Sequence, residues 1–328
     1  MKALCTGALG LIGSEAVKYY LNNAWEVVGV DNDMRRHFFG DSASGVKNRI
    51  DHSNYRFHGI DISKIEPIIE MEKPDAIIHA AAQPSHDWSA TNPLLDFGIN
   101  AYSTLMLLEM ARKHVPDSVF VYLSTNKVYG DTCNFLTLTE KETRFECEGL
   151  PDGIDESFSV DNTMHSPFGC SKLAGDIYTQ EYARYFGLKT GIFRLGCVTG
   201  SRHAGAELHG FLSYMALCKK RNTPYKVYGY KGKQVRDQIH AKDVVRAIDF
   251  FIRDPKPGQV YNMGGGRHSN VSVLEALNWF KIKDWEYVDK PRLGDHRWWV
   301  SDTRKFETDY PEWKREFNLW AIMDDLMA

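Results

Sequence analysis

Cysteine is scarce in this chain: six residues in 328, with no Cys-x-x-Cys pair among them. So few scattered thiols in a chain this long exclude a disulfide frame and read as reduced cysteines of a cytoplasmic protein. No metal site is expected. No apolar run approaches the ~20 residues that a membrane-crossing helix needs, so no membrane partner is expected. A charge excess of either sign is missing too. Forty Lys and Arg stand against 43 Asp and Glu, a formal net charge of −3, which argues against nucleic acid or an anionic membrane surface as a partner. There is no internal repeat and no low-complexity segment. The first residues read as a core strand, so a signal peptide is not expected.

Apolar residues make up 43% of the chain, enough for one large domain or two that share a cleft. The organising stretch is Gly7-Ala8-Leu9-Gly10-Leu11-Ile12-Gly13. It follows an apolar run, residues 2–6, that reads as a strand, and it enters residues 14–21, which read as a helix. A strand, a glycine turn and a helix put backbone N–H groups where a pyrophosphate is stabilised. The spacing is G-x-x-G-x-x-G. A second strand, residues 25–30, ends on Asp31, an acid placed to accept both hydroxyls of an adenosine ribose and to repel a 2′-phosphate. This order predicts dinucleotide binding, with NAD favoured over NADP. Arg35 and Arg36 follow closely and are the residue type that would favour the phosphate.

Apolar strands then alternate with helical stretches. Residues 55–60 read as a third strand, Ser63 as the cap of a helix to about Met71, and 76–79 as a short buried strand. Residues 92–113 have helical apolar spacing, and 118–123 form a fifth strand. Continuous apolar strands separated by helices predict an α/β fold, a doubly wound parallel sheet of the Rossmann type covered on both faces. Residues 124–163 read as a long irregular insertion. Residues 167–185 read as a helix and 190–195 as strand six. Helices near 207–220 and at 241–252, with strands at 225–228 and 260–262, suggest a smaller C-terminal α/β lobe. The expected division is 1–188 for the cofactor domain and 189–328 for the substrate lobe. The boundary is interleaved, with elements from about 225–255 returning to the first domain.

The chemistry concentrates at residues 123–130, which end the fifth strand in hydroxyls, and at Ser166-Pro167-Phe168-Gly169-Cys170-Ser171-Lys172, which opens a helix. Here the chain resembles the extended short-chain dehydrogenase/reductases of the nucleotide-sugar epimerase and dehydratase kind. The resemblance rests on the glycine loop, Asp31, Asp61-Ile62, His79-Ala80-Ala81-Ala82, Asn100, the Ser/Thr segment, Lys172, residues 234–240, 262–266 and Arg292-Leu293-Gly294-Asp295. It implies NAD held by Gly7, Gly10, Leu11, Ile12, Gly13, Asp31, Asn32, Asp61, Ile62, Ala80, Ala81, Ala82, Asn100 and Lys172. It also implies transient oxidation of a sugar hydroxyl to a ketone, with return of the hydride to the other face. Thr125 would hydrogen-bond the reacting oxygen. A tyrosinate four residues before Lys172 would be the base, its pKa lowered by the ammonium.

That position is Phe168, which has no titratable atom. Either the tyrosine was replaced by design, or the chain belongs to a natural branch with another base. Four residues are candidates. His86 stands beside Asp87 and would otherwise be a solvated loop residue. Cys170 lies near the Lys172 cation, which would favour a thiolate, and would otherwise be a small core residue. His165 would otherwise cap or pack the helix start. Lys127 would anchor a substrate oxygen or be a surface charge. Family 4,6-dehydratases carry an acid pair where Asn126 and Lys127 stand, which argues against 4,6-dehydration.

For the substrate, Arg236 and Arg292 are candidates to meet over a diphosphate, since guanidinium forks suit phosphate oxygens. Asp295 would accept from a sugar or nucleoside hydroxyl. Glu207 and His209 start a helix where the family contacts its nucleotide sugar. Tyr228 and Tyr230 would stack on a base or pack in the core, and Trp298-Trp299 read as core or interface. Residues 124–131 and 232–237 look most like those of enzymes that epimerise CDP-linked sugars at C2, so a CDP-sugar is the favoured partner. A nucleotide-sugar dehydrogenase, a non-4,6 dehydratase and a catalytically impaired binder are the alternatives. The family habit of pairing subunits through two helices implies a homodimer, with 92–113 and 167–187 as the helices.

Overall fold

The computed structural model describes residues 1–203 and 210–328, all but the His86 side chain. Its centre is a seven-stranded sheet in the order Gln259–Met263, Lys189–Leu195, Val119–Thr125, Ala76–His79, Lys2–Thr6, Glu26–Val30, Tyr55–His58. Every neighbouring pair is parallel. The continuous apolar runs follow from burial on both faces. Ala3, Cys5, Val27, Ile78 and Val121 enter one core with helices Leu11–Asn22 and Ala241–Arg253. Leu4, Val28, Ile77 and Phe120 enter the other, under helices Glu66–Glu72, Ser103–His114 and Pro167–Phe186. Alternate residues of one strand thus serve opposite cores.

The chain leaves Lys2–Thr6 toward one edge of the sheet and returns to its other side at Ala76–His79. That reversal of strand order opens a crevice beyond the strands' carboxyl ends. Two register pairs set its floor: Thr6 lies beside both Val30 and His79, and Thr125 beside Leu195.

Three expectations are corrected. The boundary at 188 falls too early, because Lys189–Leu195 and Gln259–Met263 complete the sheet and helix Ala241–Arg253 covers it. The returning segment is therefore 241–263. Tyr225–Tyr228 instead pairs with Trp285–Val288 in a sheet of its own. Finally, Ser63 is not the cap near residue 62: the Asp61 carboxylate accepts the Ser63 N–H and hydroxyl over a 3-10 turn, Ile62–Lys64, ahead of helix Glu66–Glu72.

The predicted helix 92–113 is Pro93–Phe97 and Ser103–His114 joined by a π turn, Gly98–Tyr102. Outside the main sheet, Val235–His240 gathers Cys197–Thr199, Asn270–Ser272 and Trp298–Trp299. Trp298 and Trp299 are wholly buried there, as core.

Candidate active site

Gly7 has φ +69°, and a Cβ on it would sit 2.7 Å from the Ala80 backbone. That backbone conformation is costly for residues with a side chain. A Cβ on Gly13 would meet the Gly7 carbonyl at 2.1 Å. The two glycines let the turn lie against the end of strand Ala76–His79 and let helix Leu11–Asn22 start directly on it. That helix has no side-chain cap and no acidic residue in its first turn, so its leading N–H groups remain suited to an anion. Across the turn, Asp31 accepts the Leu9 N–H at 2.9 Å and the Asp33 N–H at 2.7 Å. Desolvation by burial raises its pKa. Two carboxylate oxygens offer about four acceptor positions, so sites remain for ribose hydroxyls.

One cleft of ≈ 470 Å³ runs over these residues, within the ~300–1,000 Å³ usual for small-molecule sites. Gly7, Gly10, Leu11, Ile12, Gly13, Asp31, Asn32, Asp61, Ile62 and Ala80 to Ala82 line one end. Thr125, Lys127, Phe168 and Lys172 line it further along, and Tyr228, Arg236, Arg292 and Asp295 also face it. Arg35 joins the lining, its guanidinium 4.9 Å over the Phe39 ring, whereas Arg36 pairs with Asp41 at the surface.

Helix Pro167–Phe186 starts sharply because Ser166 accepts the Gly169 N–H and Pro167 needs no N–H partner. It ends at Gly187 in the left-handed conformation. Its buried stripe includes Phe168, Lys172 and Asp176. The four-residue spacing is what brings the Phe168 ring and the Lys172 amine to one cleft. Lys172 Nζ donates to the Leu123 carbonyl at 2.6 Å and lies 4.3 Å over the Tyr122 ring. Burial pushes its pKa down to about 7, against the opposing pull of Asp176 and Asp96. The Thr125 hydroxyl donates to the Asn126 side-chain carbonyl and accepts the Lys127 N–H, both at 3.3 Å.

Several expected site residues lie elsewhere. Asn100, in the π turn, is buried outside the cleft lining. It accepts the Gln83 N–H at 3.0 Å and donates to the Gln83 carbonyl at 3.1 Å, to Asp96 and to Ser171. It holds the loop after strand Ala76–His79. His165 has both ring nitrogens against carbonyls, those of Thr163 and Val128. Cys170 is exposed off the cleft, and desolvation raises its pKa, so the expected thiolate is not favoured. His86 opens helix His86–Thr91; its side chain, like Glu207 and His209, lies outside the described residues. Both arginines expected at the diphosphate meet acids: Arg236 is 2.5 Å from Asp295, and Arg292 pairs with Asp87. Asp295, expected to accept from a substrate hydroxyl, is thus engaged by a guanidinium. With Lys127 also near, this holds its carboxyl well below the usual range despite burial.

The model of the NAD dependent epimerase/dehydratase family matches residues 3–264. A CDP-paratose 2-epimerase of Salmonella typhi is 33% identical over 95% of this chain and 94% of its own length. The chain belongs to the NAD-dependent epimerase/dehydratase family. Among solved structures, a UDP-glucose 4-epimerase with UDP-glucose from Thermotoga maritima matches with a TM-score of 0.81 and 25% identity. The match covers 100% of this chain and 97% of that one. A UDP-glucose 4-epimerase from Thermus thermophilus, complexed with NAD, shares the fold at a TM-score of 0.78 and 24% identity, covering 99% of each chain.

As a family member the protein is an NAD-dependent enzyme of the extended short-chain dehydrogenase/reductase type, and the cleft fits that cofactor. The uncapped helix and the two glycines suit a pyrophosphate, Asp31 suits an unphosphorylated ribose, and Lys172 lines the same cleft. Bound NAD supplies a hydride acceptor. Sequence reasoning missed Gly196, Cys197, Val198 and Thr199 in the lining. They follow the carboxyl end of strand Lys189–Leu195, and the rule that ligands sit beyond such ends would have found them.

Proposed function

We propose that this enzyme is a nucleotide-sugar epimerase that oxidises a sugar hydroxyl to a ketone and reduces it from the opposite face. A CDP-linked deoxysugar changed at C2 is the substrate. The observation that carries the reading is a single cleft that runs from the Asp31 carboxylate, past Thr125 and Lys172, to Arg236 and Arg292. The relative that acts on CDP-paratose supports the choice of sugar. In this reading Thr125 holds the reacting oxygen and Lys172 the nicotinamide ribose. Arg236 and Arg292 exchange their acids for the substrate diphosphate, with Tyr228 beside the base. The cytoplasm fits six cysteines that are all unpaired.

A homodimer belongs to the same reading. The helices over residues 93–114 and Pro167–Phe186 pack together and leave Leu94, Phe97, Tyr102, Tyr178 and Tyr185 exposed. Sedimentation at micromolar protein tests it: a monomer there removes the pairing.

The catalytic test is NMR of products after incubation with CDP-paratose, UDP-glucose and dTDP-glucose. The expected result is a C2 epimer from the CDP-sugar, formed by protein that purifies with NAD. Oxidised product accumulating with stoichiometric NADH would instead mark a dehydrogenase, and loss of water a dehydratase. Phe168 favours one further reading, a binder without turnover, because its ring brings no titratable atom to the cleft. Tight binding of CDP-sugar with no conversion would establish it.

A further inference from the structure

Phe168 removes the phenol on which this reaction class relies, so the proton of the sugar hydroxyl needs another acceptor. Among the described residues, the cleft lining includes the titratable side chains Lys127, Lys172 and Cys197, and also Asp295, which Arg236 already engages. Burial pushes the Cys197 thiol up to about 11, so it keeps its proton. Lys172 is drawn beneath the strand end, with its amine on the Leu123 carbonyl and the Tyr122 ring. His203 also lines the cleft, but burial holds it at about 3, with Arg35 and Lys47 acting in the same direction.

Lys127 is placed differently. Its N–H donates to the Thr125 hydroxyl at 3.3 Å. Its carbonyl lies where a Cβ on Gly169 would come within 2.8 Å. The backbone of this residue is therefore wedged between the hydroxyl proposed to hold the reacting oxygen and the first turn of the helix that carries Phe168, and the residue lines the same cleft as both. The amine donates to the Gly294 carbonyl at 2.8 Å. A neutral lysine has a second N–H and a lone pair besides that bond.

We propose that Lys127 is the acid–base group of this enzyme and takes over the work of the missing phenol. The carbinol loses its O–H proton to the lone pair of Lys127 Nζ while its C–H bond gives a hydride to oxidised NAD. The products are a ketone, NADH and an ammonium. Return of hydride and proton regenerates alcohol, NAD and amine, so the cycle closes with no outside oxidant. This rests on the epimerase reading above.

The surroundings support an amine that cycles. Desolvation is the largest influence and lowers it to about 8. Asp295 opposes this, Arg236 adds to it, and the Cys133 and Cys197 thiols oppose it more weakly. Asp131 and His296 also face the ammonium, and burial keeps the His296 ring neutral. With a pKa of about 8, roughly a tenth of the amine is neutral at pH 7.

The test uses the NAD-loaded enzyme with CDP-paratose and three variants: Lys127→Met, Phe168→Tyr and the double variant. Lys127→Met is expected to lower kcat by about 10²–10⁴-fold, with NAD content and sugar affinity held within about threefold. Phe168→Tyr alone is expected to change kcat by less than about tenfold. In the Lys127→Met background it should restore most of the loss, because the new phenol stands one turn before Lys172. Wild-type kcat should rise with pH through about 8. A readout independent of turnover is NMR of lysine labelled at Cε in the substrate-free protein. One resonance, lost in Lys127→Met, should titrate near 8.

A Lys127 resonance titrating above 10 would overturn the assignment. So would a gain of about 100-fold or more from Phe168→Tyr alone, or failure of the double variant to recover. Weaker sugar binding at unchanged kcat in Lys127→Met would make the residue a mere anchor for the loop at Gly294. If wild type converts no sugar, the epimerase reading itself falls and takes the Lys127 role with it. If wild type and Lys127→Met convert it equally, only the Lys127 role falls.

Discussion

Arg292 and Asp87 form an ion pair that ties the loop between Trp285–Val288 and Trp298–Trp299 to helix His86–Thr91, the helix that follows sheet strand Ala76–His79. The arginine faces the cleft. If a substrate diphosphate is to claim that guanidinium, it must compete with a carboxylate already in place.

Asp87→Asn is therefore expected to lower the KM for the nucleotide sugar by up to about fivefold, since a partly exposed ion pair is worth ~0–1 kcal/mol. Arg292→Ala should raise KM and leave kcat less affected. Initial-rate kinetics on both variants checks this. An unchanged KM in both would place the diphosphate elsewhere.

Asp31, proposed to accept the adenosine ribose, is expected to set the choice of dinucleotide. Replacing it by Ala removes an acceptor for ribose hydroxyls and also strips the Leu9 and Asp33 N–H groups of their partner. A hydrogen bond to a charged group is worth about 1.5–3 kcal/mol. Asp31→Ala should therefore weaken NAD by roughly tenfold to 100-fold while NADP gains relative to NAD. Calorimetry on cofactor-stripped protein measures both.

The parts of this molecule that could be read from the chain were the local ones. Each sheet strand carries its own signature, and the stop at Gly187 or the start at Ser166 is written within a few residues. What escaped was long-range. Gln259–Met263 looks like any strand of a C-terminal lobe, and nothing near it says that it returns to pair with Lys189–Leu195. Arg236 and Asp295 lie 59 positions apart, so their pairing appears only once the lobe is folded. The hold that Asn100 has on the loop at Gln83 spans 17 positions of the chain and has no local signature.

Lys172 makes stability depend on pH in a definite direction. Its pKa is about 7 in the folded protein and ~10.4 in an unfolded chain. Between those values the unfolded state binds more protons, so stability rises with pH across the window and the cost of burying the ammonium is fully felt below about pH 7. Lys127, at about 8, acts in the same sense over a narrower range. Urea unfolding of wild type and Lys172→Met from pH 7 to 9 should show a steeper rise with pH for wild type. Parallel curves would mean that the amine is charged throughout the window.

The same region hides a buried ion pair whose removal separates support from chemistry. Arg194 donates from Nε and Nη2 to the two oxygens of Asp176, each at 3.0 Å, with the carboxylate wholly shielded from water. Asp176 also accepts the Ser124 hydroxyl at 2.6 Å and the Gln180 amide at 2.7 Å. On its far side Arg194 donates to the Tyr129 hydroxyl, which in turn donates to Asn262. The network joins the end of strand Val119–Thr125 to helix Pro167–Phe186 behind Lys172. Asp176→Leu leaves the guanidinium buried without its partner, and breaking such a pair costs about 3–5 kcal/mol. Replacing both members, Asp176→Leu with Arg194→Met, removes the stranded charge and should cost less than Asp176→Leu alone. Urea denaturation of the three proteins gives the order. If the double variant is the least stable, the pair contributes more attraction than its desolvation costs, and its role is stability before it is placement of Ser124 and Lys172.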